Sequence, residues 1–228
     1  FQHLAQTSDK PIGIEVASAK GVYIHDVDGK AFMDMIAGFS VCNIGHSHPA
    51  VIKAIQAQTE KYMHVIVYGE FVQAPQVHYA KYLTSFLPDA LQSVYFTNSG
   101  AEATEGAMKL AKRVTGRTKI VAFKGAYHGD TFGARAVSDS IPCPLKLSPN
   151  LTKVSCIDPP LLNDKGNGLA QLKELILKNK DIGAFIFEPM VQGVAGMRMM
   201  DPLALDELLV ECKKNNILCI ADEVQTGL

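Results

Sequence analysis

Apolar positions along this chain follow two rhythms. From Ser93 onward, short continuous apolar runs alternate with stretches in which apolar residues recur every three to four positions. This predicts strands over 93–97, 119–123, 153–157, 182–187 and 217–221, and helices over 100–114, 169–179 and 202–215. Runs such as IVAF (120–123), AFIF (184–187) and LCIA (218–221) are apolar on successive residues. Strands covered on both faces read this way, so the expected class is α/β with a mostly parallel sheet. Helix 100–114 is expected to turn Ala103, Ala107, Leu110 and Val114 to one side, with Glu105 and Lys109 paired on the other. Before Ser93 the pattern is weaker. Residues 2–20 read as loop, and 21–25 and 31–35 as a hairpin around Asp26-Val-Asp-Gly29. Packing helices follow, one over 50–61 with Val51, Ile55 and Gln58 on a face, and one carrying Tyr79, Leu83 and Phe86 that stops at Pro88.

Composition narrows the class. With 228 residues, 47% of them apolar, the chain can bury a substantial core as one domain or one domain plus part of another. Lysine and arginine total 22 against 23 aspartates and glutamates, a net charge of −1, which offers no bulk attraction to nucleic acid or anionic membrane. No apolar run reaches the roughly 18 residues that span a bilayer. The 5 cysteines (Cys42, Cys143, Cys156, Cys212, Cys219) show no C-x-x-C pair and point to a reducing, cytoplasmic setting. A first residue Phe1 and a last stretch DEVQTGL, without cap or polar tail, are expected of a chain cut at both ends.

In a parallel sheet, ligands gather beyond the carboxyl ends of the strands, so the turns there hold the candidate chemistry. They read Asn98-Ser-Gly-Ala101, Lys124-Gly-Ala-Tyr-His-Gly-Asp-Thr131, Glu188-Pro-Met-Val-Gln-Gly193 and Asp222-Glu-Val-Gln225. Ser99-x-x-Glu102 is a capping box, the hydroxyl taking the amide of Glu102 and the carboxylate reaching back to the amide of Ser99. The amides of Gly100 and Ala101 are then open to an anion at the positive end of the helix, or to water at an ordinary helix start. Asp222, placed directly after a buried strand, either caps the next turn or faces a cation. Its nearest basic neighbours, Lys213 and Lys214, fall on the preceding helix. Tyr127 and His128 offer a flat ring and a donor in a Gly-bounded loop, an arrangement equally suited to packing. His46-Ser-His48-Pro49 lacks the spacing that puts two ligands on one helix face, and Pro49 suits a first helical position, so no metal is expected. Asp26-x-Asp28-Gly29 is explained by turn chemistry. Neither a Walker A string nor G-x-G-x-x-G after a strand is present.

The strings NSGAEATEGAMKLA (98–111), GAYHGDT (125–131), EPMVQG (188–193) and IADEVQTG (220–227), in this order, closely resemble the class III, or ω-type, aminotransferases. The resemblance runs over essentially the whole chain. It implies a fold-type-I transferase that uses pyridoxal 5′-phosphate, with residues 1–45 in a small N-terminal domain and 46–228 in an incomplete large domain. It implies that Ser99, Gly100 and Ala101 hold the phosphate, that Tyr127 and Val224 cover the two ring faces, and that His128 lines the same pocket. Asp222 is implied to pair with the protonated ring nitrogen, Gln225 to reach the phenolic oxygen and Glu188 to anchor the polar network. A pyridinium held by a carboxylate stays protonated and is the better electron sink, which makes Asp222 the catalytic residue of this stretch.

The family's cofactor-linked lysine is expected beyond Leu228, as is a partner-chain residue completing the phosphate site of a homodimer. The hairpin and residues 62–76 are candidates for the interface. The implied partners are a small-molecule amino donor and a keto acceptor. Within the family, Asp130 and Val194 stand where many members acting on ornithine, acetylornithine or 4-aminobutyrate carry Arg and Glu. GAYHGDTFGA and VQGVAGMRM are nearest to the branch that makes diaminopelargonic acid, yet Phe39-Ser40 stands where that branch has a tryptophan pair. An aminomutase of the same fold and a non-catalytic domain keeping the pocket as an interaction surface are the alternative readings.

Overall fold

The computed structural model describes residues 3–5, 10–66, 69–139, 154–164 and 166–227. Cys143, Lys153 and residues 67–68 of the candidate interface segment lie outside them. By internal contacts the chain divides into two compact units, Phe1–Ser93 and Val94–Leu228.

The first unit carries a three-stranded antiparallel meander of β1 (Val16–Lys20), β2 (Tyr23–Asp26) and β3 (Ala31–Met33). Strand β1 lies in the stretch expected to be loop; Val16 pairs with Asp26 and Lys20 with Tyr23, so pairing imposed what local propensity did not. The β2–β3 turn is closed by Asp26, whose Oδ1 accepts from the amides of Asp28 and Lys30 at 3.1 and 2.8 Å. A single helical turn, α1 (Ala37–Ser40), departs from helical geometry, with Ala37, Gly38, Phe39 and Ser40 all at positive φ. Asp34 holds its start by accepting from the Ile36 and Ala37 amides, and His46 Nε2 lies 2.8 Å from its other oxygen. Helix α2 (Pro49–Thr59) begins with proline at its first position and is capped by His48 Nδ1, 3.3 Å from the Ala50 amide. Helix α3 (Ala74–Thr84) follows. No described residue of this unit is buried, so the packing expected of α2 and α3 is not supplied within it.

The second unit is a parallel sheet ordered β5-β4-β6-β9, from β4 (Lys119–Phe123), β5 (Val154–Ile157), β6 (Ile182–Phe187) and β9 (Leu218–Ala221). Ile120, Val121, Ala122 and Phe123 are all fully buried, as continuous apolar runs require of strands covered on both faces. One face packs Val121, Phe123, Phe185 and Phe187 against α6 (Gly168–Lys178) and α7 (Pro202–Lys214). The other packs Ile120, Ala122 and Ile186 against Met108 of α4 (Gly100–Thr115) and Val137 beyond α5 (Phe132–Ala136).

Residues 93–97 form no strand, because the sheet order leaves them no ladder to join and β-formers alone do not make one. Helix α4 is rotated from its expected face. It buries Thr104, Met108 and Ala111, while Leu110 and Val114 are exposed. Thr104 scores as polar in a hydropathy count, so the true stripe was under-weighted. Also unforeseen are α5 and the hairpin of β7 (Val191–Gln192) and β8 (Arg198–Met199), elements too short for a periodic signal.

Candidate functional site

The turns at the carboxyl ends of β4, β6 and β9 and the start of α4 are interlocked by direct contacts. At the helix start the Ser99 hydroxyl accepts from the Glu102 amide at 3.1 Å. The Glu102 carboxylate reaches back one residue further than the expected box, to the amide of Asn98 at 2.7 Å. The Gly100 and Ala101 amides keep the first-turn position, where a helix has no acceptor of its own. A Cβ on Gly100 would lie 2.9 Å from Val224 Cγ2, so the turn after β9 sits against the helix start. Gly129, at φ +125°, does the same from the loop after β4: a Cβ there would lie 2.6 Å from Ala101 Cβ. Gly193 takes the third such place, with the Gln225 carboxamide filling the space its Cβ would need.

Asp222 has its amide on Phe187 O at 2.8 Å, and its Oδ1 accepts from the Val224 amide at 3.1 Å. Its Oδ2 lies 2.7 Å from His128 Nδ1. An ionised carboxylate only accepts, so the proton is assigned to Nδ1 of His128. Asp222 therefore caps the turn that follows it, one of the two readings its position left open, and also accepts from His128. Its partner is 94 residues away in sequence, a separation that no local reading of charge can bridge. The His128 side chain is fully buried and that of Asp222 is 10% exposed. The remaining ring nitrogen, His128 Nε2, is buried and has no hydrogen-bond partner among the described residues, while the His128 amide donates to Ser138 Oγ at 2.8 Å.

Glu188, at the end of β6, is 7% exposed. Its Oε1 accepts from the Tyr127 amide at 3.1 Å and its Oε2 from the Gly193 amide at 2.9 Å. Burial raises its carboxyl above the ordinary value, and the two amides offset only part of that. Glu188 thus clamps the loops after β4 and β6 together. The Tyr127 hydroxyl donates to Asp130 at 2.8 Å, which orients the ring; burial, then this contact, raises the phenol. From behind, Glu105 of α4 accepts from the Gly133 amide at 2.8 Å and bonds Thr131, which lowers its carboxyl and pins α5 to α4.

Ser99, Gly100, Ala101, Tyr127, His128, Glu188, Asp222, Val224 and Gln225 are thereby brought into one neighbourhood. Sequence reasoning missed the supporting residues Ser138 and Gly193; for Gly193 the signal was a glycine closing a polar turn. The arrangement combines free helix-start amides, a flat phenol ring and a buried carboxylate, all on one sheet edge. That set suits a flat ligand with an anionic group at one end and a cationic or hydrogen-donating group at the other.

The profile of Aminotransferase class-III matches residues 4–228. The chain belongs to this family. It is 37% identical over 214 residues to an acetylornithine aminotransferase of Methanosarcina mazei, covering 93% of this chain and 50% of that protein. Among solved structures, an adenosylmethionine-8-amino-7-oxononanoate aminotransferase from Methanocaldococcus jannaschii is 28% identical, covers 99% of this chain and 54% of that one, and superposes with a TM-score of 0.89. A PLP-bound amine transaminase from an uncultivated Pseudomonas species is 26% identical, covers 98% and 57%, and gives a TM-score of 0.85. The class III chain described here spans about half the length of these relatives.

Proposed function

We propose that this chain is the cofactor-holding part of a pyridoxal-phosphate-dependent aminotransferase. The whole protein moves an amino group between an amine or ω-amino acid donor and a keto acid or aldehyde or ketone acceptor. The observation that carries this reading is the anchoring of Asp222, by His128 at 2.7 Å and the Val224 amide at 3.1 Å, next to the open amides at the start of α4. Such an arrangement fits the cofactor. Gly100 lets Val224 close against the helix start, where a Cβ would lie 2.9 Å from Val224 Cγ2, and buried His128 Nε2 has a polar capacity that no described residue uses.

Ser99, Gly100 and Ala101 would hold the phosphate, and Tyr127 and Val224 would cover the ring. When bound, pyridoxal phosphate supplies an electron sink for the substrate carbon that loses its proton. Asp222 keeps a proton on the ring nitrogen, and His128 fixes the carboxylate's direction by donating to its far oxygen. Gln225, seated over Gly193, would reach the phenolic oxygen, and Glu188 keeps Tyr127 and the turn before Gly193 in register. In this reading residues 1–45 belong to a small domain, residues 46–228 belong to the large domain, and the whole protein is a cytoplasmic homodimer acting on small molecules. A net charge of −1 offers no attraction for nucleic acid. Among the described residues no helix is long and apolar enough to cross a membrane.

Asp222→Asn in the full-length protein tests this. The variant is expected to keep bound cofactor, read by its visible absorbance, while turnover falls about 10²–10³-fold, as when one preorganised electrostatic partner is removed from a closed site. Undiminished turnover would remove Asp222 from the role.

A further inference from the structure

The loop after β4 is held by more than the residues placed so far around the pocket. From Lys124 to His128 each backbone amide has an acceptor. Lys124 donates to Ile157 O at 2.8 Å and Ala126 to Phe123 O at 3.3 Å. The other three donate to side chains: Gly125 to Asp139 Oδ2 at 3.0 Å, Tyr127 to Glu188 Oε1 at 3.1 Å and His128 to Ser138 Oγ at 2.8 Å. Asp139 closes the turn twice, because its own amide donates to Ala126 O at 2.7 Å. Gly125 is at φ +77°, and a Cβ there would lie 3.0 Å from Arg198 Nη1, so the turn is left-handed and closely backed. From this geometry we infer that Asp139 is a positioning residue for the proposed reaction: it sets the Gly125–Ala126 turn and, through it, the direction of Tyr127 and His128.

The role rests on the function proposed above, in which Tyr127 covers the cofactor ring and His128 directs Asp222. A tilt of the loop would reach both at once. Asp139 can resist that tilt because it is itself fixed. Val137, two residues earlier, is fully buried in the cluster with Ile120, Ala122 and Ile186. Ser138 Oγ donates to Ala134 O at 2.8 Å, which ties this stretch to α5, and Glu105 pins α5 to α4 through the Gly133 amide. The contacts form a closed circuit, since Gly129, next after His128, packs against Ala101 at the start of α4. Asp139 therefore links the loop that would cover the ring to the helix whose first amides would hold the phosphate. What the Gly125 amide needs is an acceptor oxygen at that point, charged or neutral. The charge has a separate effect: Asp158, 2.7 Å from Lys124 Nζ, and to a lesser degree Asp139 favour the Lys124 ammonium.

The test uses the full-length protein loaded with pyridoxal phosphate. Asp139→Ala and Asp139→Leu both remove the acceptor, and either one serves if the other fails to fold. Asp139→Asn keeps an oxygen at the same reach and removes the charge. The first two are expected to bind cofactor at wild-type stoichiometry with kcat lowered about tenfold and KM for the amino donor changed by no more than about twofold, as misplacement without lost binding requires. Their visible circular dichroism per bound cofactor, which reads the asymmetry around the ring, is expected to fall. Asp139→Asn is expected to restore kcat and dichroism to within about twofold of wild type. Wild-type kcat and dichroism in Asp139→Ala or Asp139→Leu, whatever the melting temperature, would leave Asp139 a purely structural part and overturn the positioning role. An Asp139→Asn as slow as Asp139→Ala would overturn it too, because charge rather than the acceptor would then be acting. A wild-type protein that binds no cofactor and turns over no amine would overturn the proposed function itself, and this role with it.

Discussion

Glu188 shows how one residue's surroundings set a measurable pH dependence. Its carboxyl is raised from the ordinary 4.5 by burial, with the amides of Gly193 and Tyr127 opposing. Between the ordinary and the raised value the folded chain binds more protons here than the unfolded chain does, so stability falls as pH rises through that window. Below it the neutral carboxyl carries no penalty. Glu188→Gln abolishes this dependence. The amide also turns a donor toward one of two backbone N–H groups, a pH-independent cost of about 1–3 kcal/mol. Urea midpoints measured across the acid range are expected to show wild type losing its advantage over Glu188→Gln as pH increases. An advantage that grows with pH would reverse the assignment of burial as the dominant effect.

At the scale of elements, α4 joins local sequence to the candidate site. Its start is fixed by Ser99 on the Glu102 amide and by Glu102 on the Asn98 amide, at 3.1 and 2.7 Å. Ser99→Ala removes the first and is expected to cost about 1 kcal/mol, seen as a lower melting temperature, while the backbone amides that face an anion remain. Weaker cofactor binding without a stability change would instead place the hydroxyl's main role on the phosphate. The start of α4 was legible because a capping box is a short-range signal, and β4, β6, α6 and α7 were legible because runs and periods persist over enough residues. Legibility failed where structure depends on partners distant in sequence. β1 forms because β2 pairs with it, 93–97 joins none of the ladders among the described residues, and the buried face of α4 is chosen by Ile120, Ala122 and Ile186. The site divides in the same way. Its turns could be read, but His128 as the partner of Asp222 could not, since only the sheet's topology brings the ends of β4 and β9 together.

For the whole molecule, the contrast between the two units leads to a prediction about protection. Every buried residue described lies in the second unit, where both faces of the sheet are covered. The first unit instead leaves Met35, Phe39 and Val41 exposed and opens an apolar groove of about 820 Å³ lined by Val51, Ile55, Tyr62 and Met63. Hydrogen bonds without a buried core open locally at little free-energy cost, so a meander such as β1–β3 is not expected to resist exchange by itself. In residues 1–228 produced alone, amides of α4, β4 and β6 are expected to exchange slowly and those of β1–β3, α2 and α3 fast. In the full-length protein the proposed homodimer supplies cover. Protection of the first unit is then expected to rise with protein concentration over the range in which sedimentation shows dimer forming. Equal protection of β2 and β4 in the isolated 1–228 chain would show that the first unit needs no such cover and would remove the physical argument for placing it at an interface.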